Sequence, residues 1–181
     1  MTRLRIADAA LVRGGRLLFE GLDLHLGAGE AAHVTGANGC GKSSLIRMVA
    51  GLLRATAGTI ERAAVALADD HLALDRELVL DRALEFWGGP RLDEAKAAFD
   101  LDRLGDVPVR LLSTGQARRA RLARVVASDA PLWLLDEPLS GLDRAGIVRL
   151  DAAIADHLRG GGAVLAASHV ALGGTWREVG L

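Results

Sequence analysis

The chain has a single cysteine, Cys40, so no internal disulfide is open to it, and that scarcity fits a reducing compartment. It lacks any stretch of about 18 uncharged apolar residues, which argues against a helix crossing a bilayer. A secretory leader is not expected, because Asp8 interrupts Met-Thr-Arg-Leu-Arg-Ile-Ala-Asp where an unbroken apolar core would be needed. An excess of one charge is also missing. The 22 Lys and Arg residues meet 23 Asp and Glu, for a formal net charge of −1, so a general nucleic-acid or anionic-membrane binder is not expected. The one basic cluster, Arg118, Arg119, Arg121 and Arg124, reads as the solvated face of a helix. There is no tandem repeat and no low-complexity linker.

What is present is the balance of a globular protein: 181 residues, half apolar and a quarter charged, read as one domain over 1–181. Residues 3–12 and 16–26 read as strands joined by a turn at Gly14-Gly15, and Glu30 to Thr35 as a strand running into a glycine loop. From Lys42, the apolar positions Leu45, Ile46, Met48, Val49, Leu52 and Leu53 have helical period. Thr59 to Leu67 supplies one or two further strands. Residues 72–112 mix helical periodicity with breaks at Gly88-Gly89-Pro90 and Pro108. This is the pattern of a small helical subdomain, which with a helix over 115–128 spans about 72–128. Leu132 to Asp136 reads as a buried parallel strand, 144–158 as a helix, and Ala163 to Ser168 as a last buried strand. Strands alternating with helices predict an α/β fold with a mostly parallel sheet covered on both faces.

Gly36-Ala37-Asn38-Gly39-Cys40-Gly41-Lys42-Ser43 satisfies G-x-x-x-x-G-K-[ST] between a strand and a helix. Such a loop turns its backbone N–H groups and the positive end of the following helix toward phosphates. Lys42 is expected to supply a point charge to the β- and γ-phosphates, and Ser43 a hydroxyl oxygen to Mg²⁺; Ser44 follows in the helix. Asp136 ends a buried strand, and ligands of open α/β sheets lie beyond the carboxyl ends of the strands. It is therefore a candidate Mg²⁺ ligand, direct or through water, with Glu137 beside the γ-phosphate as candidate base for the attacking water. His169 also follows an apolar strand; the other four histidines, His25, His33, His71 and His157, are read as structural.

Between these two ends lies Leu-Ser-Thr-Gly-Gln at 112–116. Loop, pentapeptide and Leu-Leu-Asp-Glu at 134–137, in this order, resemble the ATP-binding-cassette (ABC) ATPases, whose signature is Leu-Ser-Gly-Gly-Gln; Thr114 replaces the first glycine. The resemblance covers essentially the whole chain and implies a P-loop core with a small antiparallel β subdomain and an inserted helical one. It implies that two copies sandwich two ATP molecules, with Ser113, Thr114, Gly115 and Gln116 completing the partner's site. Ser140-Gly141-Leu142-Asp143 resembles the D-loop that communicates across that dimer, and His169 the switch histidine at the γ-phosphate. Two departures stand out. Gln116 is the only glutamine, so the Q-loop glutamine is absent and His71 falls at about its place. No aromatic lies near Leu11 to Arg13, where many relatives stack a ring on adenine; Phe19, the nearest, is assigned to the core.

Within the family, Leu17 to Leu22, Asp106 to Ser113 and Ala130 to Pro138 are similar to the ATP-binding subunits of the haem exporter of bacterial cytochrome c maturation. His71 and the His169-Val170-Ala171-Leu172 ending depart from that group's usual Gln and His-Gln-Pro-Leu. The resemblance implies a peripheral subunit on the cytoplasmic face of the inner membrane. Its partners would be integral-membrane permease subunits of the CcmB/CcmC type. ATP hydrolysis would then support haem export or release of haem from its chaperone. Three alternatives stand beside it: an ATPase of another small ABC transporter, a soluble ABC protein of DNA repair or translation, and a nucleotide-binding scaffold with little turnover. The soluble class is disfavoured because the chain has neither coiled-coil arms nor a paired cassette, and the scaffold because Lys42, Asp136, Glu137 and His169 are all present.

Overall fold

Two sheets share the work of positioning the phosphate loop. A computed structural model describes residues 1–71 and 74–181. The first two positions of the expected helical subdomain, Leu72 and Ala73, lie outside the described residues. Strands β1 (Thr2–Arg13) and β2 (Arg16–Gly27) form an antiparallel hairpin, and β4 (Ala57–Arg62) pairs antiparallel with the other edge of β1. Alternation sends Leu4, Ile6, Ala9 and Leu11 of β1 inward, along with Phe19, Leu24 and Leu26 of β2. A register shift between Ile6 and Ala9 bends the strand, and Asp8 there adopts a φ of 48°.

The second sheet is wholly parallel. Its order is β5 (Val65–Ala68), β6 (Leu132–Asp136), β7 (Ala163–Ala167), β3 (Ala31–Thr35), β8 (Arg177–Gly180). Every residue of β6 and β7 is buried, which is why these strands are continuous apolar runs. The period of two persists inside the run. Leu132 and Leu134 face one core, with α1 (Lys42–Ala50); Trp133 and Leu135 face the other, with α4 (Thr114–Ala127) and α5 (Arg144–Arg159). The short helices α2 (Leu80–Glu85) and α3 (Leu92–Ala98) join that second core through Leu80, Leu84, Ala95 and Phe99. No helix among the described residues is long and apolar enough to cross a membrane.

One strand is missed by the sequence and one sequence reading is corrected. The Ala163 strand is the last buried one, but an exposed strand, β8, follows and pairs with β3 from Ala32↔Arg177 to Thr35↔Gly180. As an exposed edge strand of four residues it carries no apolar run to announce it. Nor is the arginine cluster a solvated face. Arg121 is buried and donates to the Asp69 carbonyl; Arg124 donates to the Leu67 carbonyl and lies 4.7 Å over the Trp87 ring. Arg118 pairs with Asp70 at 3.4 Å, and Arg119 donates to the Phe99 carbonyl at 3.1 Å. The cluster therefore ties α4 to the end of β5 and to α3. Guanidinium forks reach carbonyls that the sequence gives no sign of.

His157 is structural, as read. Its ring stacks on Trp133 with centroids 3.8 Å apart and planes 8° apart. Burial pushes its pKa down to about 4, opposed by the bond to the Ala163 carbonyl. A base whose folded pKa is depressed stays neutral in the fold, and its stabilising share is lost as pH falls below the unfolded value of about 6.5. Unfolding by urea should show a loss of roughly 1–2 kcal/mol between about pH 7.5 and about pH 5, after discounting for solvent at the ring edge. A His157→Phe variant should lose less. Burial raises the pKa values of Asp136 and Asp151, which act in the opposite sense over the carboxylate range. The difference between the wild type and the variant therefore isolates His157.

Candidate active site

The phosphate loop leaves β3 at Thr35 and enters α1 at Lys42. Gly36 has a φ of 142°, and a Cβ there would lie 2.8 Å from both the Cys40 sulfur and the Leu181 carbonyl oxygen, so only glycine fits. Helix α1 starts at Gly41 with no side-chain cap and no acidic residue in its first turn. Its first N–H groups and its positive dipole end are left for an anion. By contrast α5 is capped by Asp143, which accepts from the Gly146 N–H at 2.7 Å, and α4 by a reciprocal box.

Lys42 is only 7% exposed, and its Nζ donates to the carbonyls of Gly36 at 2.8 Å and Ala37 at 3.1 Å. Ser43 Oγ donates to Asp136 Oδ1 at 2.9 Å, joining helix α1 to the end of β6. Burial pushes the Asp136 carboxyl above the ordinary carboxylate range; the Ser43 bond opposes this, while Asp70 and Glu137 add to it. A hydroxyl and a buried, charge-crowded carboxylate are oxygen donors of the kind Mg²⁺ takes. Among the described residues, no three His, Cys, Asp or Glu side chains converge as a complete metal cage. The pair thus fits an ion that draws its other ligands from phosphates and water.

Glu137 follows β6 in the left-handed region, with a φ of 48°. For a non-glycine residue this costs about 1–3 kcal/mol and persists only where the surroundings impose it. Its N–H donates to the Ala167 carbonyl at 2.8 Å, fixing the turn against the end of β7. Its Oε2 lies 2.7 Å from Nδ1 of His169. A carboxylate only accepts, so His169 donates from Nδ1 and keeps Nε2 for another partner. Together Arg13, Leu18, Asn38, Gly39, Lys42, Ser43, Ser44 and Glu137 line a cleft of about 440 Å³.

The structure thus gathers Gly36 to Ser44, Asp136, Glu137 and His169. It does not bring Ser113, Thr114, Gly115, Gln116 or Asp143 to that cleft. The signature forms its own exposed corner: Ser113 Oγ accepts from the Gln116 N–H at 3.3 Å, and Gln116 Oε1 accepts from the Ser113 N–H at 2.8 Å. Gly141 of the D-loop sits beside it, so these two segments are neighbours. His71 is exposed and bonded to Asp69, which also pairs with Arg47 of α1 at 3.7 Å. Phe19 is buried in the core, as expected. Arg13 and Leu18 were not assigned from the sequence. They reach the cleft because the hairpin folds over α1, where Arg13 Nη1 donates to Ser44 Oγ at 3.4 Å.

A parallel sheet with a phosphate loop after one strand, and Asp-Glu after a neighbouring one, defines a P-loop nucleoside triphosphatase. A sequence profile of the ABC transporter family matches residues 19–140. The cytochrome c biogenesis ATP-binding export protein CcmA of Novosphingobium aromaticivorans is 59% identical over 166 residues, covering 90% of this chain and 86% of that protein. CcmA of Sphingopyxis alaskensis is 54% identical, covering 93% and 91%. CcmA of Zymomonas mobilis is 51% identical, covering 94% and 80%. Among solved structures, an ATP-binding subunit of an ABC transporter superposes with a TM-score of 0.86 at 23% identity, covering 93% and 80%. A putative ABC transporter ATP-binding protein from Pyrococcus furiosus gives 0.85 at 19% identity, covering 98% and 96%; at these identities the likeness speaks for the fold. The chain belongs to the ABC transporter ATP-binding family and, within it, to the cytochrome c biogenesis export ATPases of the CcmA kind. It is an ATP-binding ATPase of that family.

Proposed function

We propose that the chain powers an ABC export complex of cytochrome c biogenesis, coupling ATP hydrolysis to haem export or to release of haem from its chaperone. The subfamily rests on the CcmA relatives; the chemistry rests on one observation, the Glu137–His169 pair at 2.7 Å beside the Lys42–Ser43 cleft. In this reading the loop amides from Gly36 to Gly41 and the α1 terminus bind the phosphates, and Lys42 turns from its loop carbonyls to the β- and γ-phosphates. Ser43 and Asp136 would hold Mg²⁺, whose charge offsets that of the phosphates. Glu137 orients and polarises the attacking water, and its bond from His169 Nδ1 fixes the carboxylate. To bond the γ-phosphate oxygens through Nε2 as well, the His169 ring must carry a proton on both nitrogens, since phosphate oxygens only accept.

The chain acts as one ATP-binding domain, and Ser113, Thr114, Gly115, Gln116 and Asp143 act across a twofold interface with a second copy. The complex would further contain integral-membrane permease subunits of the CcmB/CcmC type. These would hold this subunit peripherally on the cytoplasmic face of the inner membrane. The test is haem staining of membrane c-type cytochromes in a deletion strain complemented with wild type or Glu137→Gln. Staining should vanish on deletion and return only with the wild type. Normal staining without the gene would overturn the cytochrome c assignment and leave an ABC ATPase with another cargo.

A further inference from the structure

A second pocket, of about 250 Å³, opens on helix α4 and shares no lining residue with the nucleotide cleft. Its residues at positions 114, 117, 118 and 121 recur at helical spacing, so one face of α4 forms its floor. The opposite wall comes from two segments that meet across the fold. The Arg110 N–H donates to the Arg76 carbonyl at 3.1 Å and the Val109 N–H to the Leu78 carbonyl at 2.9 Å, which brings Arg76 and Arg110 together. Four of the eight lining residues are arginines, Arg76, Arg110, Arg118 and Arg121, and none is acidic. The carboxylates that pair with them reach in from outside. Glu77 lies 3.8 Å from Arg110 and Asp70 3.4 Å from Arg118, both well exposed, and such pairs offset little charge. Arg121 is the group this arrangement leaves unexplained. It is 8% exposed, one terminal nitrogen donates to the Asp69 carbonyl, and its Nε has no partner among the described residues. Burial, and then the like charge of Arg118, push its pKa down. A buried donor without a partner bears the full cost of its lost water, so it calls for an acceptor.

We propose that this pocket binds a small phosphate-bearing anion, of the class of inorganic pyrophosphate, held by Arg76, Arg110, Arg118 and Arg121. Guanidinium forks match phosphate oxygens bidentately and keep their charge. The anion supplies the acceptor that Arg121 Nε lacks and offsets four like charges gathered around one cavity. Thr114, where the family signature has glycine, adds a hydroxyl donor at the rim. A bound phosphate also bridges Arg76 and Arg110 to the first turns of α4, directly behind the signature. The site is separate from the nucleotide cleft and plays no part in bond cleavage.

Calorimetry with pyrophosphate titrated into the full chain, kept saturated with ADP, separates this pocket from the phosphate loop. The exposed arginines are the ones to change, since Arg121 also holds α4 in place. Arg76→Ala and Arg110→Ala should each weaken pyrophosphate by about tenfold and leave ADP within about twofold, which also shows that the variants are folded. Arg103→Ala, which removes an exposed charge elsewhere, should leave pyrophosphate unchanged. Flotation with vesicles of phosphatidic acid in phosphatidylcholine distinguishes the two sources of such a phosphate. Capture that Arg76→Ala abolishes assigns the pocket to a lipid headgroup; no capture, with pyrophosphate bound, assigns it to a soluble anion. Absence of pyrophosphate binding to the ADP-saturated chain would overturn the proposal, because the phosphate loop would then be the only site. Equal weakening by Arg103→Ala would overturn it too, as an effect of overall charge.

Discussion

Glu137→Gln is expected to lower steady-state ATP hydrolysis by about 100- to 10,000-fold while nucleotide remains bound. The substitution keeps the shape of the side chain and an oxygen for the His169 Nδ1 donor now 2.7 Å away. What it removes is the charge that polarises water. Removing that charge also relieves the crowding of acids at Asp136, whose carboxyl Glu137 and Asp70 help to push up. Nucleotide affinity should therefore hold or rise, and an ATP-bound dimer should accumulate. Single-turnover hydrolysis and size-exclusion chromatography with ATP check both halves. Unchanged turnover would mean that another group activates the water, and the left-handed backbone of Glu137 would need a different explanation.

A strictly monomeric sample should bind ATP and hydrolyse it poorly, with the rate per chain rising about tenfold for a tenfold rise in concentration until dimers dominate. The reason is geometric. The signature corner is exposed, has no acidic residue in the first turn of α4, and stands apart from the chain's own cleft. A Cβ on Gly115 would meet nothing nearer than the Gly141 carbonyl at 3.7 Å, so nothing among the described residues requires a glycine there. An approaching phosphate from a second copy would. The 14-residue helix behind it aims its positive end outward at that position. Rates measured across dilution, with the mass monitored by light scattering, decide the matter. A rate per chain independent of concentration in a monomeric sample would show that the signature is not supplied in trans.

The strands that position the catalytic groups were legible because burial on both faces leaves an unmistakable apolar run. Leu132 to Asp136 is a strand as read, the run read as a strand over Ala163 to Ser168 is one over Ala163–Ala167, and Asp136 ends β6 with Glu137 directly after it. The helix after the phosphate loop and the helix after Asp143 were equally plain from their periodicity. Strand β8 was not, since an edge strand half exposed to solvent needs no apolar pattern. The arginines of α4 were misread because a run of charge looks solvated until carbonyls from Leu67, Asp69 and Phe99 are seen to meet it.

The sequence by itself determined the chemistry at the level of residue types: a loop that only glycines can close, a lysine and serine at its exit, and an acidic pair after a buried strand. It also determined the family. Local signals suffice there, because a motif is a contiguous stretch whose backbone needs are met by its own residues. Only the tertiary structure decided which of those stretches meet. Ser43 touches Asp136 across 93 residues and Glu137 touches His169 across 32, while Arg13 reaches Ser44 across 31. Those contacts follow from the order β5-β6-β7-β3-β8 and from the hairpin laid over α1. Neither has a local signature, because strand order is set by which faces must be buried together and by the whole chain at once.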